Sequence, residues 1–457
     1  MEKLSFLDMS FLRLESPQRP FHVAGLMIFK QPDPAPRNHV RRLVAWAQQL
    51  NTIWPVCNKK LSDPLDLGKA GWVQEDHYQP ERHVLHYSLP QPGRMEDLLN
   101  LVARAHERPL DRSRPLWELH VIEGLPGNRV AAYCKVHHAL IDGVGGMRML
   151  SSLFTTSPTK RARLPGAEPV IEQEARRQSL ARSLEDTWRG LREQYRAIPS
   201  CPRCSPRWDW TPCAVGRGCD ETAIHLPAEP VQHRNGFRPA HHTLRPAVWP
   251  VRSMAREAGG SINDVLLAIC GGALRRYLIA QNALPRKSLI AGLPVSIRRD
   301  DDSAGNHLSF ILCPYFTNEA DDLKRLQRVI RATTRAKAEL AGMSATAGQD
   351  FTNLVLLPLV LLTVTGNATR VAPAVNAIFS NVPGSSRKLY LEGSELESLY
   401  PVSIVTDGMG INLTVVSYDK KLCFAITSCP TGQPGIEQLD DLLRQSYRDL
   451  RAALLSR

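Results

Sequence analysis

The chain has 457 residues, of which 43% are apolar and 22% charged. It is long and apolar enough for more than one buried core, which excludes a disordered or fibrous protein. A formal net charge of +12 calls for anionic partners, either nucleic acid, anionic lipid headgroups or a phosphate-bearing cosubstrate; no RNP motif or histidine-bearing zinc finger accompanies it, so nucleic acid is set aside.

The N-terminus lacks a basic region followed by a continuous apolar stretch, so no secretory signal is read and a cytoplasmic protein is expected. Apolar spacing predicts strands over 84–89, 117–122 and 130–136, with helices over 95–106 and 320–341. The mixture predicts an α/β fold. At the end of the third strand, residues 133–146 read YCKVHHALIDGVGG. Histidine alone changes protonation near neutral pH without special help, so an imidazole at a strand end can take a proton from an attacking alcohol or amine. His138 is the candidate base, with His137 beside it. Asp142 stands after a tight turn rather than beside the ring, which suits locking the loop. Gly143, Gly145 and Gly146 supply backbone freedom and close approach. The alternative is a His pair that merely finishes a strand.

After residue 154 the composition shifts to Pro and Arg, which marks a linker. Within it Leu180, Leu184, Trp188, Leu191, Tyr195 and Ile198 recur at helical spacing, with Arg182, Arg189, Arg192 and Arg196 between them. Such a basic amphipathic helix either adsorbs to an anionic membrane or lipid-droplet surface, or docks on a domain as a crossover. Six of the ten cysteines (Cys57, Cys134, Cys270, Cys313, Cys423 and Cys429) fit small buried hydrophobes in a reducing compartment. The other four, Cys201, Cys204, Cys213 and Cys219, are the zinc candidates. Their second spacing exceeds the usual two to four residues, so no metal is expected. The apolar run over 354–364 is shorter than the roughly 20 residues that span a bilayer, and Pro358 interrupts it. It reads as a core helix, or as a surface that dips into a membrane or lines an acyl tunnel.

The HHxxxDG pattern of 137–143 resembles the acyltransferases that include chloramphenicol acetyltransferase, plant alcohol acyltransferases and the condensation domains of peptide synthetases. Further segments narrow the resemblance: 4–8 (LSFLD) with Phe11, Glu15 and His22, then 109–120 (PLDRSRPLWELH), 261–264 (SIND), 293–298 (LPVSIR), 380–384 (SNVPG) and 412–418 (NLTVVSY). In this order they look like the bacterial wax ester synthase/diacylglycerol acyltransferase family. The resemblance implies transfer of a fatty acyl group from acyl-CoA to a long-chain alcohol or to diacylglycerol, with no cofactor beyond acyl-CoA as co-substrate. It implies His138 as base, His137 in support, and Asp142 as a structural carboxylate paired with Arg298. It also implies a two-domain, chloramphenicol acetyltransferase-like architecture with mixed sheets and a helical linker. The domains are then 1–154, a linker over 155–220, and 221–457.

The chemistry stands without the family. A thioester is already activated, so the site needs a base for the hydroxyl, a donor for the developing oxyanion and exclusion of water, but no nucleophilic side chain. Asn263 is the candidate donor. It and Asp264 stand before an apolar run from Val265 that reads as a buried helix, so either residue also fits a cap. Pro115 and Trp117 similarly fit a pocket wall or core packing. Expected partners are acyl-CoA, the acceptor and an anionic membrane or droplet surface, the protein being peripheral there. Two rivals remain: a transacylase using carrier-protein thioesters, and a non-catalytic lipid-droplet-binding protein.

Overall fold

Two six-stranded mixed sheets organise the computed structural model of the chain. The structure describes residues 1–4, 6–17, 19–141, 143–160, 238–239, 249, 251–296, 308–341, 375–405, 409–428, 433 and 435–456. All of them belong to one packed unit, formed by 1–164 together with 223–457.

In chain order, helix α1 (Phe6–Leu14) leads to β1 (His22–Lys30), α2 (His39–Ala47), β2 (Val84–Ser88), α3 (Met95–Glu107), β3 (Trp117–Leu125), β4 (Arg129–His137) and α4 (Gly143–Ser152). The second part contains α5 (Val251–Ala258), α6 (Ile262–Ala280), β5 (Ile290–Ser296), β6 (Leu308–Pro314) and α7 (Asp322–Ala341). It continues with β7 (Ala377–Val382), β8 (Tyr390–Leu391), β9 (Ser394–Val402), β10 (Ile411–Tyr418), β11 (Lys421–Ser428) and α8 (Leu439–Leu455). The five elements predicted from apolar spacing lie within a few residues of the observed bounds.

The first sheet has the order β8-β9-β1-β4-β3-β2, antiparallel except for the β3–β2 pair. Its faces follow the period of two. Leu26, Ile28, Ala131 and Tyr133 face α3, while Met27, Phe29, Cys134 and Val136 join the core on the other side. The hairpin β8–β9 comes from the second half of the chain, yet it pairs with β1. Tyr418 of β10 supports this exchange: its hydroxyl donates to the Leu396 carbonyl at 2.7 Å and accepts from the Leu389 amide at 3.0 Å.

The second sheet has the order β6-β5-β7-β10-β11, closed by the short strand Arg238–Pro239, with parallel pairs β5–β7 and β7–β10. Helix α6 packs against α7 and α8 and is apolar almost all round, as a buried helix must be. Gly271 lets it approach the chain after β6, because a Cβ there would collide with the Tyr315 carbonyl. The cap of α6 corrects the sequence reading. Ser261, not Asn263, is the N-cap: the Asp264 amide donates to Ser261 Oγ at 3.3 Å and the Ser261 amide donates to Asp264 Oδ2 at 2.7 Å. This reciprocal box satisfies two orphan donors, and it places Asn263 inside the first turn.

The β10–β11 turn carries Asp419 at φ 42° and Lys420 at φ 64°. A two-residue hairpin of this hand needs positive φ at both central positions, and here neither is glycine. The buried cysteines Cys57, Cys134, Cys270, Cys313 and Cys423 are free thiols. Among the described residues no helix is long and apolar enough to cross a membrane.

Candidate active site

Strand β4 ends at His137 because its backbone amide is taken by the Leu116 carbonyl at 2.9 Å, after which the chain turns: the Leu140 amide donates to the His137 carbonyl at 2.9 Å. The His137 ring is fully buried. Its Nδ1 accepts the Ala139 amide at 3.1 Å, which assigns the ring proton to Nε2. That Nε2 faces Glu15 Oε1 at 3.5 Å, longer than a short hydrogen bond.

Glu15 follows the last residue of α1 and is itself buried, with 4% of its side chain exposed. Its Oε1 accepts the Phe21 amide at 3.1 Å, and its Oε2 receives Nη2 and Nε of Arg112 at 3.0 and 3.2 Å. Burial alone pushes this carboxyl up, but His137, the Phe21 amide and Arg112 together outweigh it and hold it at about 2. The carboxylate therefore stays ionised throughout the neutral range.

His138 is half-buried at the turn. Its backbone amide donates to the Phe21 carbonyl at 2.9 Å, and its ring lies 4.8 Å from that of Phe11, tilted by 47°. Phe11 in turn stacks on Phe21 at 5.8 Å. The arrangement presents one imidazole on a framed turn beside aromatic surface, which suits proton abstraction next to an apolar substrate. Helix α4 starts at Gly143 and packs toward β7.

Behind this turn, the α3-facing side of the first sheet carries a buried polar group. His22 stands directly opposite His137 across the β1–β4 ladder, and its Nε2 hydrogen-bonds the His106 carbonyl at 2.6 Å. His106 Nδ1 meets the Tyr133 hydroxyl at 2.6 Å. Burial, with Lys135 nearby, holds His106 down at about 3; burial, with His106 and Lys135 nearby, depresses His22 as well. Lys135 Nζ donates to the carbonyls of Ala105 and Arg108 at 2.9 and 2.8 Å, closing the C-terminus of α3, and pairs with Glu118 at 3.2 Å. Burial pushes Glu118 up, yet His120 and Lys135 bring it to about 2.

The remaining candidates from the sequence fall in different places. Asn263 Oδ1 accepts from Asn381 Nδ2, joining the first turn of α6 to β7. Asp264 is buried in the capping box and accepts the Thr333 hydroxyl at 2.6 Å. Trp117 is a core residue, 2% exposed, whose Nε1 donates to the Cys57 carbonyl at 2.9 Å and whose ring stacks on His83. Pro115 borders a polar cleft of about 230 Å³ with Glu75, His77, Arg82 and His83. Asp142, Arg298, the cysteines Cys201, Cys204, Cys213 and Cys219, the amphipathic segment over 180–198 and the apolar run over 354–364 lie outside the described residues. Among the described residues no cluster of His, Cys, Asp and Glu could hold a metal.

Sequence reasoning assigned no role to Arg112 or Phe21, and met Glu15 and Phe11 only as part of a resemblance. Glu15 and Arg112 are 97 positions apart, so spacing carried no signal.

Residues 4–266 match the wax ester synthase/diacylglycerol acyltransferase catalytic domain, and residues 304–451 match the WS/DGAT C-terminal domain. The chain is 33% identical over 445 residues to the O-acyltransferase WSD of Acinetobacter baylyi, covering 96% of this chain and 94% of that one. A putative diacylglycerol O-acyltransferase of Mycobacterium tuberculosis is 33% identical over 469 residues, covering 99% and 100%. The solved wax ester synthase/diacylglycerol acyltransferase from Marinobacter aquaeolei is similar at a TM-score of 0.74 and 28% identity, over 99% of this chain and 100% of that one. The first condensation domain of the calcium-dependent antibiotic synthetase shares the fold, with a TM-score of 0.59 at 15% identity over 99% of this chain and 96% of that one.

Proposed function

The chain belongs to the wax ester synthase/diacylglycerol acyltransferase family, and on that premise we propose that it is an O-acyltransferase moving a fatty acyl group from acyl-CoA to a long-chain alcohol, to diacylglycerol, or to both. The observation that carries the mechanism is the placement of His138: anchored through its amide to Phe21, flanked by Phe11, and half-buried at the end of β4.

In this reading the His138 imidazole accepts the acceptor's hydroxyl proton as the oxygen attacks the thioester carbonyl carbon. The C–O bond forms and a tetrahedral oxyanion develops. Its collapse breaks the C–S bond, and the coenzyme A thiolate leaves and takes the proton from the imidazolium. No acyl-enzyme is required, since the thioester is already activated. Asn263 is the amide donor of this scheme. Its Oδ1 is engaged by Asn381, which leaves Nδ2 as the group available to a developing negative charge. Asp142 and Arg298 are assigned the loop-locking pair.

The net charge of +12 supports a peripheral position on an anionic membrane or droplet surface, where both substrates are concentrated. The test is release of coenzyme A thiol from palmitoyl-CoA with hexadecanol, with diacylglycerol, or with no acceptor. Acceptor-dependent release is expected, with ester product in equal amount. Release that ignores the acceptor would make the protein a thioesterase and overturn the reading.

A further inference from the structure

We propose that Glu15 is a positioning residue for the reaction, a single carboxylate that fixes the His138 turn from both sides. The proposal rests on the general-base reading of His138. It concerns a carboxylate whose partners include Phe21, Arg112 and His137.

Hydrogen bonds run outward from the carboxylate in three directions. Oε1 accepts the Phe21 amide at 3.1 Å, and the carbonyl of the same Phe21 holds the His138 amide at 2.9 Å. Oε1 also faces His137 Nε2 at 3.5 Å, while Nδ1 of that ring holds the Ala139 amide at 3.1 Å. The His138 amide and the residue that follows it are therefore both fastened to groups that Glu15 holds. A third link runs through α1: the Glu15 amide donates to the Phe11 carbonyl at 3.1 Å, so the helix end that carries the carboxylate also sets the ring that lies against His138.

Arg112 makes the buried charge tolerable. Its fork meets Oε2 through two nitrogens, and Nη2 also reaches the Leu12 carbonyl, so the pair ties the end of α1 to the segment before β3. A buried carboxylate with one partner removed is strongly disfavoured, whereas here Oε1 and Oε2 are both occupied. Rigid framing of this kind matters because displacement of a base by about 1 Å can cost on the order of 100-fold in rate.

The test uses the full-length protein with Glu15→Gln, Glu15→Asp, His137→Gln and the double variant Glu15→Gln/His137→Gln. Glu15→Gln is expected to lower kcat by about 10- to 100-fold with KM for acyl-CoA unchanged, and Glu15→Asp to restore part of the loss. Because the carboxylate acts in part through His137, adding Glu15→Gln to His137→Gln should cost clearly less than it costs in wild type. Full kcat in a folded Glu15→Gln protein would overturn the proposal, as would losses that simply multiply.

Imidazole 15N signals separate this proposal from the reaction itself. In wild type His137 should show the Nε2–H tautomer, and Glu15→Gln should shift the signals of both His137 and His138. That shift on Glu15→Gln, together with a wild type that shows no acyltransferase activity, would retain the positioning role and refute the reaction. Unchanged His138 signals would refute the positioning role. Should Glu15→Gln fold poorly, Arg112→Lys keeps the charge and loses the fork. A drop in kcat at constant KM supports the proposal, and an unaltered kcat contradicts it.

Discussion

Asp264 Oδ1 accepts the Thr333 hydroxyl at 2.6 Å while its Oδ2 takes both the amide and the hydroxyl of Ser261 at 2.7 Å. One buried carboxylate thereby caps α6 and pins α7 to it. Asp264→Ala should remove the capping box and leave the Thr333 hydroxyl only the Ile330 carbonyl at 3.2 Å, for a loss of about 2 kcal/mol in unfolding free energy. Urea unfolding measures this. Surviving folded protein should keep KM for acyl-CoA, whereas a raised KM at full stability would make Asp264 a substrate contact.

The buried histidines set a pH dependence. His106 is held at about 3 and His22 is lowered in the same direction, both by burial, so between the ordinary histidine range and those values the unfolded chain binds more protons than the folded one. Stability contributed by the neutral rings is complete above about pH 6.5 and falls as the pH drops below it. For His106 the loss at pH 5 is about 2 kcal/mol. Glu15 and Glu118, both held at about 2, lose their contribution only further down, between about 4.5 and 2. Denaturant midpoints at pH 7.5, 6 and 5 should fall steadily in wild type and less steeply in His106→Gln. A flat profile to pH 5 would contradict the burial of these rings as neutral groups.

The hairpin at Asp419 and Lys420 offers a gain. Both residues occupy left-handed backbone, at a cost of about 1 kcal/mol for a side chain with no local compensation. Lys420→Gly should raise the thermal midpoint with activity unchanged. A lowered midpoint would mean that the Lys420 side chain stabilises the turn by more than the strain costs.

Much of the fold was readable from local pattern. The strand ending at His137 follows from a short apolar run that is buried on both faces, and the helices over 95–107 and 322–341 follow from apolar period. The α/β class and the two mixed sheets agree with the expectation drawn from the ordered motifs. What local pattern could not supply were contacts between distant segments. The insertion of Tyr390–Leu391 and Ser394–Val402 beside β1 depends on which edge of the first sheet is open, a property of the assembled sheet and not of the hairpin's composition. The start of α6 was misplaced by a similar margin of information: Asn and Ser are both good caps, and only the reciprocal bond from Asp264 selects Ser261. In the candidate site, the position of His138 just past a strand end was legible because residue type and strand end are local, while its role as base is a proposal; the Glu15–His137 and Glu15–Arg112 pairs join segments about a hundred positions apart.

The most direct test of the account is acceptor-dependent thiol release from palmitoyl-CoA by wild type and His138→Ala, each checked for folding by its melting transition. The account predicts that the variant melts like wild type and loses turnover by at least about 100-fold, the contribution of a positioned general base. A folded His138→Ala protein that still transfers acyl groups at the wild-type rate would contradict the assignment of His138 and the mechanism built on it.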